Sequence, residues 1–278
     1  MPCMSKLRPG QVQSRATMMK LGKINRRKFL ASALLAAPLV LAGDGRFVEP
    51  TWLRVQKFSL AGGKLGVRFA HFSDLHHKGD RAYLQSVVNT LNALAPDFCC
   101  FTGDLIEVSD QLPETLEILS GIRSPMFGVP GNHDYWSRAD FGVIGKCFSA
   151  TGGEWLLDRQ LPVANGKITL TGAAGIYPFT VPTARADGSM NILLMHYPAW
   201  ANRLGNRSYD LVLAGHSHGG QVQIPFFGAP FLPYDVDGYV MGHYQTPAGP
   251  MYVNPGIGYI YIYDFRFNCR PEITLFEV

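Results

Sequence analysis

The sequence predicts an α/β fold, a four-layer α/β/β/α sandwich in which two mixed sheets are flanked by helices. Two observations lead there. In the first half, three strand–loop–helix units follow one another, each placing a polar motif at the C-terminal end of its strand, where open α/β sheets gather ligand sites. In the second half, short strands alternate with turns, and histidines again stand just after two of those strands. Both sheets are therefore expected to feed one rim.

Each element follows from its local pattern. Leu53–Leu60 and Lys64–Ser73 read as two strands joined by the glycine turn Ala61-Gly62-Gly63, the second running into Asp74. Over Asp80–Leu94 the apolar residues Tyr83, Leu84, Val87, Val88, Leu91 and Leu94 recur at helical spacing, and Pro96 stops the run. A strand over Phe98–Phe101 ends in Thr102-Gly103-Asp104, and Pro113 opens a short helix through Leu119. A strand over Met126–Val129 leads into Pro130-Gly131-Asn132-His133-Asp134, followed by a helix over Arg138–Ala150. Further strands are expected at Leu161–Val163, Lys167–Thr171, Asn191–Met195 and Leu211–Ala214. From Gln221 onward the pattern is strands and loops rich in Gly, Pro and aromatics.

The chain divides into an export signal over residues 1–43, a linker and strand over 44–64, and one domain over 65–278, large enough for a full core. The formal charge of +4 misleads, because eight Lys and Arg precede the first acid, Asp44. Without them 17 basic residues face 21 acidic ones, a net charge of −4. No basic stripe remains of the kind nucleic acid demands, so polymeric DNA or RNA is excluded as a partner. The five cysteines (Cys3, Cys99, Cys100, Cys147, Cys269) lack the paired spacing of a zinc ribbon or redox motif. Cys99 and Cys100 read as packing residues of a buried strand.

The first 43 residues combine a basic segment with the apolar run Phe29–Ala42, then Gly43. Fourteen helical residues span about 21 Å, short of the roughly 30 Å hydrocarbon core, and Pro38 weakens the run further. It reads as a signal-peptide core with Val40-Leu41-Ala42 before the cleavage point. Asn25-Arg26-Arg27-Lys28-Phe29-Leu30 resembles a twin-arginine signal, with Asn25 where Ser or Thr is more usual. This implies the twin-arginine export machinery as a partner and a periplasmic location, or one on the outer face of the cytoplasmic membrane. Met18 or Met19 could be the true start.

Five motifs carry the chemistry: Asp74-Leu75-His76, Gly103-Asp104, Gly131-Asn132-His133-Asp134, His196, and Gly215-His216-Ser217-His218. Alone, a histidine after a strand is most often a packing residue, and Gly-Asp means little. All five in order, each at a strand end, point to a metal site. Asp74 and His76, two apart on an extended strand end, would project the same way. Asp104 is the natural carboxylate to bridge two cations, Asn132 offers an amide oxygen, and His196, His216 and His218 complete the shells. His216 and His218 could reach different metals if the loop between them bends. This O/N donor set suits two divalent ions, Mn²⁺, Fe or Zn²⁺.

His133 stands apart, since crowding keeps neighbours 132 and 133 from ligating one ion. A free imidazole there would protonate a leaving oxygen or stabilise phosphoryl charge, and needs an orienting carboxylate. Asp134 and Glu107 are both candidates. His71, His77 and His243 match no motif; His77 is the first to suspect otherwise because it adjoins His76.

In this order the motifs resemble those of the calcineurin-like metallophosphoesterases, over essentially all of residues 65–278. The resemblance implies the metallophosphoesterase fold. It implies that Asp74, His76, Asp104 and His218 hold one metal, that Asp104, Asn132, His196 and His216 hold the other, and that His133 is the non-ligand catalytic histidine. Gly215–Gln221 and the tail Arg266–Ile273 resemble the bacterial phosphodiesterases that carry twin-arginine signals; the stretch Tyr259–Tyr263 beside that tail departs from them. The expected activity is hydrolysis of a small-molecule or lipid phosphoester by water activated between two cations, without a covalent phosphoenzyme. Export of a folded protein would let its metals be loaded in the cytoplasm.

Two rivals follow. A related branch cleaves the pyrophosphate of UDP-diacylglucosamine, and Phe226, Phe227, Phe231, Tyr234, Tyr239, Tyr259, Tyr261 and Tyr263 could line an acyl or peripheral membrane-facing groove. That precursor is cytoplasmic, so an export signal argues against it. A non-catalytic scaffold on the same fold would have lost ligands, whereas every ligand position here is filled.

Overall fold

Alternation along one strand decides how the layers stack. In the computed structural model, which describes residues 25–175, 181–260 and 264–278, all four residues of Phe98–Phe101 are buried. Phe98 and Cys100 pack into the core between two sheets, while Cys99 and Phe101 pack beneath the helices on the outer face. A strand apolar on both faces belongs inside a sheet covered on both sides.

The strands in chain order are β1 (Arg54–Ser59), β2 (Arg68–Phe72), β3 (Phe98–Phe101), β4 (Met126–Gly128) and β5 (Glu154–Trp155) in the first sheet. The second sheet takes β6 (Gln160–Val163), β7 (Ile168–Ala173), β8 (Met190–Met195), β9 (Leu211–Ala214), β10 (Gly242–Thr246) and β11 (Gly249–Val253). The last strand, β12 (Glu272–Glu277), returns to the first. Strand orders are β1-β12-β2-β3-β4-β5 and β10-β11-β9-β8-β7-β6, each sheet mixed. The expected pairing of the first two strands is corrected here. β12 lies between them, parallel to β1 and antiparallel to β2. Its first five residues are buried, which an edge position would not allow.

The helices are α1 (Arg26–Phe47), α2 (Arg81–Leu94), α3 (Leu112–Leu119), α4 (Asn132–Trp136) and α5 (Phe141–Ala150). Asp80 caps α2 by accepting the Tyr83 amide at 3.0 Å, and Ala95 turns left-handed just before Pro96. The helix expected over Arg138–Ala150 starts at Phe141, and a separate short helix precedes it. Asp140 accepts the amides of Gly142 and Val143 at 2.8 and 3.1 Å, so α5 starts only after it, while the short α4 begins at Asn132 itself. Helices α2, α3 and α5 cover the first sheet through Leu84, Leu91, Leu119 and Phe148. Over the second sheet, the five-residue 3-10 helix Pro198–Asn202 and its flanks bring Tyr197, Trp200 and Leu204 against Leu193, Met195 and Val212.

The chain separates into two units, Met1–Val40 and Leu41–Val278. Of the first, only residues 25–40 are described, so the expectations for Met18 and Met19 lie outside the described residues, as do those for Tyr261 and Tyr263. Pro38 does not end α1, and Phe29–Thr51 is long and apolar enough to cross a membrane by length and composition. That exceeds the 14-residue run read from the sequence, because the helix continues past Gly43.

Candidate metal centre

Five loops at the C-terminal ends of β2, β3, β4, β8 and β9 converge on one buried cluster. The polar chain there does not continue the strands. Asp74, His76, Asp104, His216 and His218 all have positive φ, between 40° and 66°. The expectation of an extended chain through Asp74 and His76 is thus overturned: left-handed turns, which Asp tolerates better than most residues, bring the side chains together. Such strain persists only where surrounding contacts fix it. Here the amides of Asp74 and His76 donate to the carbonyls of Gly103 and Asp104 at 2.9 and 3.1 Å. Gly103, at φ 101°, has no room for a Cβ, which would lie 2.6 Å from both the Gly131 nitrogen and His196 Nδ1.

Two ligand groups share one carboxylate. Asp74, His76, Asp104 and His218 offer atoms within 4.8 Å of one another, and so do Asp104, His196 and His216. Oδ1 of Asp104 accepts the His133 amide at 2.8 Å. Oδ2 is thereby turned inward, 3.3 Å from His76 Nε2 and 3.2 Å from His196 Nε2. Asn132 Oδ1 lies 3.0 Å from the same His196 nitrogen. Backbone carbonyls orient two of the rings. His196 Nδ1–H donates to Thr102 at 2.7 Å, and His216 Nε2–H to Tyr234 at 2.8 Å, leaving the opposite nitrogens aimed into the cluster. Nε2 of His76, 3.3 Å from Asp104 Oδ2, makes no hydrogen bond among the described residues, and Nε2 of His218 lies 3.5 Å from Asp74 Oδ1. Buried imidazole nitrogens facing carboxylates fit a divalent cation.

Electrostatics divides the four histidines. Burial opposes charge on His76, but Asp104 and Glu107 outweigh it and push its pKa up to about 10. Burial opposes charge on His196 too, and Asp104 carries it up to about 9. His216 is pushed down to about 3 by burial and the neighbouring His196, and His218 falls well below the usual imidazole range through burial and His76. Despite burial, His196 and His76 hold Asp104 well below the usual carboxylate range. Burial raises Asp74, whose oxygens also accept the His216 amide at 3.0 and 3.1 Å.

Of the two carboxylates expected beside His133, the structure brings Glu107. Its Oε2 lies 2.9 Å from His133 Nδ1 and its Oε1 lies 3.0 Å from His76 Nδ1. Asp134 faces elsewhere: it accepts the amides of Asp104, Leu105 and Gly131 at 2.9, 2.8 and 2.8 Å, fully buried. Asp134 therefore shapes the loop and does not contact the imidazole. His133 follows Asn132 on α4, where successive side chains diverge by about 100°, so one enters the cluster and the other lines its mouth. His71 Nε2 is hydrogen-bonded to Thr102 Oγ1 (2.9 Å), His77 faces Glu114 (3.7 Å) and His243 meets Phe58 edge to face, all outside the ligand groups.

Three roles were not read from the sequence. Thr102 and Tyr234 act through backbone carbonyls, which no residue type announces. Trp136, one helical turn past His133 with ring centroids 4.9 Å apart, could have been found by its i, i+3 spacing.

Residues 67–220 match the calcineurin-like phosphoesterase family. The uncharacterized metallophosphoesterase YkuE of Bacillus subtilis is 31% identical, over 92% of this chain and 98% of its own length. Phosphodiesterase YaeI of Escherichia coli is 29% identical, over 92% of this chain and 99% of its own. The UDP-2,3-diacylglucosamine pyrophosphatase LpxG of Chlamydia trachomatis is 25% identical, over 88% of this chain and 94% of its own.

Proposed function

The chain belongs to the calcineurin-like phosphoesterases, and from that premise we propose that Asp74, His76, Asp104, Asn132, His196, His216 and His218 would hold two divalent cations and that His133 acts on the leaving group of a phosphodiester. It is a hydrolase acting on phosphoric ester bonds. The observation carrying the two-cation reading is the position of Asp104 Oδ2, 3.3 Å from His76 and 3.2 Å from His196. Asp74, His76 and His218 share Asp104 on one side; Asn132, His196 and His216 share it on the other. Mn²⁺, Fe and Zn²⁺ suit these donors. When bound, such a pair lowers the pKa of water and neutralises phosphoryl oxygens.

The chain's own residues do the rest. His133 sits at the mouth of the cluster, 21% exposed, where a leaving oxygen can reach it. Glu107 fixes its ring through the 2.9 Å contact at Nδ1. Asp134 keeps the Gly131 and Asp104 loops in register. The test is Asp104→Asn, followed by elemental analysis and hydrolysis of bis(p-nitrophenyl) phosphate. Metal and activity should fall together; two tightly held metals with full activity would overturn the bridging role.

Export completes the reading: residues 1–43 as a twin-arginine signal or retained anchor, 44–64 as a connecting segment, 65–278 as the catalytic domain outside the cytoplasm. The arginine pair at the start of α1 and the apolar stretch behind it support this. A second reading, hydrolysis of a diacylated nucleotide-sugar pyrophosphate, draws support from the LpxG relative and from apolar side chains near the cluster. Competition between that lipid and the chromogenic diester separates the two.

A further inference from the structure

From Gln221 to Tyr234 the chain carries no charged residue. Among the described residues, the two most exposed large apolar side chains are its Phe226 and Phe227, at 106% and 88%, with Phe231 at 73%. A domain that only had to stay soluble would bury these rings or replace them. They are instead held outward. Ile224 and Gly228 close a tight turn by reciprocal backbone hydrogen bonds of 2.9 and 2.8 Å, with Pro225 leading in. Phe226 at its tip has φ 71°, a conformation a bulky residue rarely adopts. Strain that displays an aromatic ring to solvent calls for a functional reading.

We propose that the Ile224–Leu232 loop inserts into a lipid bilayer and seats the mouth of the metal centre at the membrane surface. Three observations choose a bilayer over a protein. Phe226 and Phe227 stand at the tip of the tight Ile224–Gly228 turn, which suits insertion better than the flat packing of a protein interface. The uncharged segment can enter the headgroup region without burying an ion. The base of the loop is also tied to the end of α1. Gln223 donates to the Phe267 carbonyl at 2.8 Å, Arg266 to that of Gly45 at 2.9 Å, and the Asn268 amide to Glu49 at 2.8 Å. The apolar run Phe29–Ala42 leads along the chain into that point. Any membrane contact made by that run therefore enters the domain where the loop is rooted.

The same loop reaches the metal cluster at its other end. Tyr234 holds His216, and Phe231, Leu232, Pro233 and Ile260 wall a cavity of about 160 Å³ beside His218. Across the mouth, Trp136 and Tyr234 are 60% and 51% exposed, with ring centroids 6.4 Å apart. An amphiphile's phosphate could thus meet the metal ligands while its chains stay in apolar surroundings. This consequence, a phosphoester anchored in lipid as substrate, rests on the hydrolase reading; the docking itself does not.

The experiment uses the full chain, reconstituted into phosphatidylethanolamine/phosphatidylglycerol vesicles with or without brominated acyl chains. Phe227→Trp should add emission that brominated lipid quenches by at least half, and Val143→Trp on α5 should add emission that it does not quench. Phe226→Ser/Phe227→Ser should cut hydrolysis of a vesicle-embedded p-nitrophenyl phosphodiester at least tenfold. Soluble bis(p-nitrophenyl) phosphate is assayed in parallel, so that a dead enzyme with a quenched tip sinks the hydrolase reading and supports docking. A tip left unquenched, or one shielded only when the chain self-associates, overturns the proposal.

Discussion

Glu107 places one carboxylate oxygen 2.9 Å from Nδ1 of His133, and no part of this arrangement involves Asp134, the neighbour of His133 in sequence. Its other oxygen lies 3.0 Å from Nδ1 of His76, inside the buried cluster. One acid thus orients both a ring of the buried cluster and the ring at its mouth.

Coupling between Glu107 and His133 is the first expectation. His133→Ala should lower kcat by about 10²–10⁴ with metal retained, and Glu107→Gln by about 10–100-fold. If Glu107 acts through His133, the double variant should be no slower than His133→Ala alone. Losses that multiply would show that Glu107 works mainly through His76.

Space at Gly103 sets the second. Gly103→Ala forces a left-handed alanine and drives its Cβ to 2.6 Å from the Gly131 nitrogen and His196 Nδ1. Stability should fall by more than ~2 kcal/mol, and metal content with it. Gly188→Ala, also at positive φ but with nothing within 4 Å, isolates the backbone cost, about 1 kcal/mol. Equal melting temperatures for the two variants would remove the steric argument.

Gly103 also shows what the sequence can convey. The residues that the structure gathers into the buried cluster were legible as candidate ligands, because carboxylates and imidazoles at successive strand ends have few other uses. The left-handed turns at Asp74 and His76 were not, since neither residue type announces positive φ. Residue alternation reports which face of β12 is buried but not which strands flank it, so its place between β1 and β2 stayed hidden. The five residues of α4 are too few to show a helical period. Glu107 and Asp134 both stand within reach in sequence, and only the fold, by pointing three amides at Asp134, decides between them.

Proton release on metal uptake is the third. His76 and His196, with pKa values near 10 and 9, carry protons at pH 7, whereas His216 and His218 do not. A cation at either ligand group must displace one of those protons. Affinity should therefore weaken as pH falls below about 9, by roughly tenfold per pH unit for each ion. Calorimetric titration of the metal-depleted protein with Mn²⁺, in two buffers of different ionisation enthalpy, measures this directly. Identical heats in both buffers would contradict it.

Arg266 carries the last. It is fully buried, and its guanidinium donates to the carbonyls of Pro255 at 2.9 Å, Cys269 at 3.0 Å and Gly258 at 3.0 Å. These segments frame one half of the cluster. Ile257 and Gly258 donate to the carbonyls of Ser73 and Asp74 at 2.9 and 2.7 Å, and Cys269 Sγ lies 3.3 Å from the His218 carbonyl. A planar fork satisfies these acceptors at fixed angles, which an ammonium cannot copy. Arg266→Lys should therefore loosen Asp74 and His218 while sparing Asn132, His196 and His216. Metal titration should show one ion weakened about 10–100-fold and the other little changed. Equal weakening of both would mean that Arg266 supports the domain generally and not the Asp74 side of the cluster.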